Sequence, residues 1–194
     1  MKTVLCLFLF SALFGEVIEG PKDYSLKFFD DLEVNGATKL RLVKAKSLTI
    51  HGPLEFHSLD VSGPAQINDS ITGEKGKFGS LTVQGAVDVN HVMTENLSVK
   101  GPVRASYLMI TNTAEIDGHA NLDHGQFKTL KLKGDDIVLD EVTAETIIIQ
   151  KGNTIVIKGA SNISGDITFE SGNGIVKLQA PATIKNVKGG KVKN

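Results

Sequence analysis

The residues best suited to chemistry stand together in Ile116-Asp117-Gly118-His119-Ala120-Asn121-Leu122-Asp123-His124-Gly125. Two imidazoles and two carboxylates form a donor set that divalent cations accept, so Asp117, His119, Asp123 and His124 are the metal-ligand candidates. Their spacing matches no established ligand motif. At the equivalent positions 49 residues earlier stand Asn68, Ser70, Glu74 and Lys75, which do not repeat the set. The sequence therefore favours surface turn residues over a metal centre. A second group, Asp135, Asp136, Asp140 and Glu141, follows Gly134. Paired carboxylates can hydrolyse glycosidic bonds or hold calcium. Here the turns are short and aromatic residues scarce, with no Trp and 2 Tyr, so a solvated acidic turn is the expectation. The chain has no Gly-x-Ser-x-Gly nucleophile motif, no glycine-rich phosphate loop ending in Gly-Lys-Ser/Thr, and no calcium-binding glycine-rich nonapeptide. No catalytic or cofactor-binding residue is assigned, and no cofactor is expected. Asn68-Asp69-Ser70, Asn96-Leu97-Ser98 and Asn162-Ile163-Ser164 fit the N-glycosylation pattern, which matters only in a eukaryotic source.

The frame that must position these residues is periodic. Gly36-Ala37-Thr38-Lys39-Leu40 through Gly52-Pro53-Leu54 aligns without a gap on Gly85-Ala86-Val87-Asp88-Val89 through Gly101-Pro102-Val103, an offset of 49 residues. Each large copy divides into three units of 16 or 17 residues, beginning at Leu32, Leu48, Ala65, Leu81, Leu97, Ala114, Leu130 and Ile147. Their third positions are Val34, Ile50, Ile67, Val83, Val99, Ile116, Leu132 and Ile149. All sixteen residues are apolar where the 41% composition would give about six or seven, and the residue between each pair is usually polar. That alternation is the signature of a half-buried strand. At the fifth position stand Gly36, Gly52, Asp69, Gly85, Gly101, Gly118, Gly134 and Lys151, predicting a corner with positive φ or close backbone approach. Two further alternating pairs follow in each unit, for example Leu54 with Phe56 and Leu59 with Val61.

Three short strands per unit, each with two inward side chains, describe a triangular coil. Every strand should then pair with its equivalent one unit later. The predicted fold is all-β: a single-stranded triangular parallel β-helix, or β-solenoid, of about 8–10 coils of 16–17 residues. Coils ~4.8 Å apart give a rod on the order of 40 Å long. The units starting at Ala65 and Ala114 carry Phe78 and Phe127 thirteen residues later, preceded by Gly76 and Gly125, so lost volume is expected to be restored within one interior layer.

The expected division is a signal peptide over 1–20, an N-terminal cap over 21–31, the solenoid over 32–184 and a Lys/Gly-rich tail over 185–194. Lys2 precedes the apolar run from Thr3 to Phe14, which has the length and flank of a secretory signal core, with cleavage near Gly15 or Gly20. Its removal takes Lys2, Glu16, Glu19 and the lone Cys6, leaving 20 basic and 20 acidic residues. Charge balance argues against nucleic-acid binding, and the mature chain should not insert stably in a membrane. Tyr24, Leu26, Phe28 and Phe29 are expected to form a lid; after Ile149 the strand spacing is expected to shorten; and Lys185, Lys188, Lys191 and Lys193 are expected in a mobile terminus.

Units such as Leu97-Ser98-Val99-Lys100-Gly101-Pro102-Val103 and Gly165-Asp166-Ile167-Thr168-Phe169-Glu170-Ser171-Gly172 resemble the bactofilins, polymer-forming bacterial cytoskeletal β-helices. The resemblance covers about residues 32–178 and implies an uncapped right-handed β-helix that assembles end to end without nucleotide. The signal-like segment and the lysine-rich end depart from that pattern. The same repeats are similar to those of exported bacterial adhesin-like β-helices. The reading is an exported, non-enzymatic solenoid, secreted, periplasmic or on the cell surface, whose faces serve as a structural or adhesive surface toward a protein or cell-surface glycan. Thr49, Thr82, Ser98, Glu115 and Lys131 are expected on one face. The alternatives are a bactofilin-like scaffold that self-associates through its ends, and a polysaccharide-binding or polysaccharide-cleaving β-helix.

Overall fold

The computed structural model describes residues 16–19, 22–25 and 27–193. The chain opens with β1 (Glu16–Glu19), β2 (Lys22–Tyr24) and β3 (Lys27–Asn35). Five long strands follow: β4 (Thr38–Ile50), β5 (Leu54–Ile67), β6 (Ile71–Val83), β7 (Val87–Lys100) and β8 (Val103–Asp117). Shorter ones then alternate: β9 (Ala120–Asp123), β10 (Gln126–Lys133), β11 (Ile137–Asp140), β12 (Thr143–Lys151) and β13 (Thr154–Lys158). The last are β14 (Asn162–Phe169), β15 (Gly174–Leu178), β16 (Thr183–Lys188) and β17 (Gly190–Lys193). All strand pairings among the described residues are parallel, and each strand meets its equivalent in the next coil, as in the register of Leu81 on Leu97 and Leu97 on Ala114. The expected β-solenoid is thus the observed fold, with about 10 turns.

Each coil has three inward-facing stretches. On the first side, Leu32, Leu48, Ala65, Leu81, Leu97, Ala114, Leu130, Ile147, Ile167 and Val187 form one unbroken column. The second side starts at Thr38, Leu54, Ile71, Val87, Val103 and Ala120, and the third at Val43, Leu59, Gly76, Val92 and Leu108. These columns make one continuous buried core from Leu32 to Ala182. Alternation places every second side chain in that core, which is why a long strand can run along all three sides with its hydrophobic face always inward.

Corner glycines serve close approach. A Cβ on Gly52 would lie 2.6 Å from the carbonyl carbon of Gly36, and one on Gly85 2.7 Å from that of Asp69. At these glycines successive coils touch backbone to backbone, so an added side chain would displace the coil beside it.

The ends differ from expectation. Of the segment assigned to a signal peptide, residues 1–15 and 20 lie outside the described residues, while β1 pairs with Leu32–Asn35. Cleavage near Gly15 would keep β1, whereas cleavage near Gly20 would remove it. Within the predicted cap, β2 and the start of β3 already keep solenoid register with β4. Of the residues expected in the lid, Leu26 lies outside the described residues, Phe28 is 81% exposed, and Phe29 packs partly against the core. Around and beyond Ile149 the coils first lengthen, and the second side returns to 16 residues only where Gly174 pairs with Gly190. Ile137 pairs with Ile155, Ile147 with Ile167 and Thr154 with Ile175. The additional residues sit in corners, with Gly159 (φ 60°) and Gly172 (φ 75°) turning the chain in the left-handed region. The lysine-rich stretch is wound into the last coil, where β16 pairs with β14 and β17 with β15.

Candidate functional site

The four predicted metal candidates fall at two different corners. Asp117 and His119 flank the glycine corner before β9, and Asp123 and His124 lie at its far end. Five residues of extended chain separate the two histidines by roughly 15 Å. His119 donates from Nδ1 to the Asp135 carbonyl at 3.0 Å and lies 3.6 Å from an Asp136 carboxylate oxygen. Asp117 stands in register with Lys100 and Lys133. The second acidic group divides in the same way, Asp135 and Asp136 at one corner and Asp140 and Glu141 at the other, with β11 between them. The four carboxylates do not converge on one groove.

At the second corner the structure assembles a column that the sequence reading missed. His91, Tyr107, His124 and Glu141 occupy equivalent positions in four successive coils, each in the left-handed region at φ 52°, 53°, 52° and 53°. Register fixes the column: Asn90 and Val92 pair with Ser106 and Leu108 on either side of His91 and Tyr107, and Ser106, Asp123 and Asp140 stack in turn. The His91 and Tyr107 rings stack at 4.5 Å between centroids, and Tyr107 and His124 at 4.7 Å. His124 closes the column electrostatically. Its Nδ1 lies 2.8 Å from Asp123 Oδ1 and its Nε2 2.9 Å from Glu141 Oε2. Both faces of Tyr107 are covered by imidazoles, which leaves ring edges and its hydroxyl to solvent. Chemically this is an inter-coil clasp with an exposed polar edge. The signal was present in the repeat: His91, Tyr107 and His124 are each the eleventh residue of their unit, counted from Leu81, Leu97 and Ala114.

The first face carries the expected ladder. Glu33, Thr49, Gln66, Thr82, Ser98, Glu115, Lys131, Ile148, Thr168 and Lys188 follow one another in register. Polar contacts tie it across coils. His51 reaches Glu33 and Asn68, each at 2.9 Å, and Asn68 accepts from Gln66 at 3.0 Å. Lys133 donates to Glu115 at 2.5 Å; that hydrogen bond holds the Glu115 carboxyl below its ordinary range and pushes the Lys133 ammonium up. On the second face Lys39 pairs with Glu55 at 2.6 Å, and at the following corner His57 pairs with Glu74 at 2.7 Å. The glycosylation-type asparagines Asn68, Asn96 and Asn162 are all exposed.

Compared with protein-family models, curated proteins and solved structures, the chain matches none. Its architecture therefore rests on its own register and core.

Proposed function

We propose that this chain is an exported, non-enzymatic β-solenoid that acts as a structural or adhesive surface. The supporting observation is the first face, a ladder of outward residues from Glu33 to Lys188 presented at one coil spacing over the length of the rod. Such a face offers many equivalent, weak contacts to an extended partner, a protein or a cell-surface glycan, whose combined strength comes from repetition. The apolar run behind Lys2 supports export, and the adhesin-like repeats agree with it. Fractionation of the producing cells, with mass determination of the N-terminus, tests the reading. Secreted, periplasmic or surface material lacking the apolar run is expected; cytoplasmic material that retains Met1 would overturn it. Sugar release from a glycan panel would favour the polysaccharide-cleaving alternative instead.

A specific observation favours the scaffold reading as the second. Among the described residues β16 and β17 each pair on one edge only, as do β1 and β2 at the other end. Open parallel edges are templates for another chain, in line with the bactofilin-like character of the repeats.

A further inference from the structure

Among the described residues the two ends that pair on one edge only carry opposite charge. Residues 177–193 contain five lysines, Lys177, Lys185, Lys188, Lys191 and Lys193, and no acidic residue. Lys188 is held by Asp166 at 2.5 Å. The other four are exposed and form no ion pair among the described residues. At the opposite end residues 22–35 contain Asp23, Asp30, Asp31 and Glu33 against Lys22 and Lys27, with Glu16 and Glu19 added where β1 is retained; Asp30 is held by Lys46 and Glu33 by His51, each at 2.9 Å. Apolar side chains accompany both edges: Val17 is 61% and Phe28 81% exposed at the acidic end, and Val192 44% at the basic end.

We propose that a second copy of this chain docks head to tail, its acidic first coil on the lysine-rich last coil. The inference rests on the end-to-end scaffold reading and adds its polarity. Two basic ends repel, as do two acidic ends, so only the unlike junction brings open edges together without like charges facing. Register agrees on the second side. Asp23, Lys39, Glu55, Thr72, Asp88, Arg104, Asn121, Val138, Val156, Lys177 and Lys193 form one column from first coil to last. Continuing the stack sets β2 of one copy on β17 of the next, and the positions of Asp23 and Lys193 become neighbours. A junction of this type is heterologous and does not close, so it propagates as a filament.

The test is sedimentation of the full purified chain over a concentration series at 20 mM and 500 mM salt. Association is expected at low salt and about tenfold weaker at high salt, where exposed charges are screened. Two charge-reversed chains complete it, Lys185→Glu/Lys191→Glu/Lys193→Glu and Glu19→Lys/Asp23→Lys/Asp31→Lys, each checked for native circular dichroism. Each alone should remain monomeric, and their mixture should associate again. A wild type that is monomeric at every concentration would overturn the end-to-end reading itself and leave the lysines as guards of an edge. Association that survives either reversal, or that mixing does not restore, would retain assembly but overturn the polar junction.

Discussion

Phe78 shows how one side chain is read from its neighbours. Its ring is 3% exposed and meets Phe56 edge to face at 6.1 Å. A Cβ on Gly76 would lie 2.5 Å from its Cε2, so the glycine two residues earlier on the same wall makes room for the ring. Gly125 stands in the same relation to Phe127. The volume trade anticipated from Ala65 and Ala114 is thus met first by glycine. Phe78→Ala should cost about 3–5 kcal/mol in urea denaturation, because the stacked coils above and below limit collapse of the cavity. A loss under about 1 kcal/mol would contradict the inward placement. Gly76→Ala should cost about 1–3 kcal/mol by overpacking, and combining it with Phe78→Leu should cost less than the sum, since the shorter side chain vacates the space.

Among the elements, the last coil is held in part by electrostatics. β16 has a neighbour on one side only, and Lys188 and Asn186 both reach Asp166 on β14, at 2.5 Å and 3.1 Å. These hydrogen bonds hold the Asp166 carboxyl below its ordinary value of 3.8. A lowered carboxyl contributes stability that is complete above its unfolded value and is lost as pH falls through the lower folded value. The methyl resonances of Ile184 and Val187 should therefore broaden on acidification below about pH 4 while those of Ile116 and Leu132 stay sharp. Asp166→Asn should show the loosened last coil already at neutral pH. Simultaneous broadening of all four residues in wild type would refute an independent last coil. Lysine and glycine content suggests a solvated tail, whereas the backbone pairing of β16 and β17 to earlier coils rests on residues 16 to 21 positions away.

For the whole molecule, the consequence of one-dimensional stacking is that a coil is a removable unit. Each coil contacts its neighbours alone, so stability is close to a sum of coil and interface contributions. Deleting residues 81–96 places Leu97 on Ala65 and keeps every inward column in phase. The shortened chain should retain its β spectrum and lose about 4.8 Å of length by small-angle scattering. Deleting 81–90 shifts the register and should abolish cooperative unfolding. Equal tolerance of both deletions would contradict a register-locked core.

The sequence by itself determined the solenoid, because a period of 16 or 17 residues with apolar pairs at fixed positions is satisfied when equivalent strands stack over one core. It also placed Thr49, Thr82, Ser98, Glu115 and Lys131 in a single column, since phase along a repeat is position on a face. Only the tertiary structure decided what became of the polar residues between those pairs. It separated His119 from His124 by the length of β9, joined His124 to Tyr107 across coils, and set segments of opposite charge on edges that pair on one side only among the described residues. Local spacing sets the direction in which a side chain leaves the backbone. Which corner it reaches, and which coil lies beside it, depends on the wound path of the entire chain.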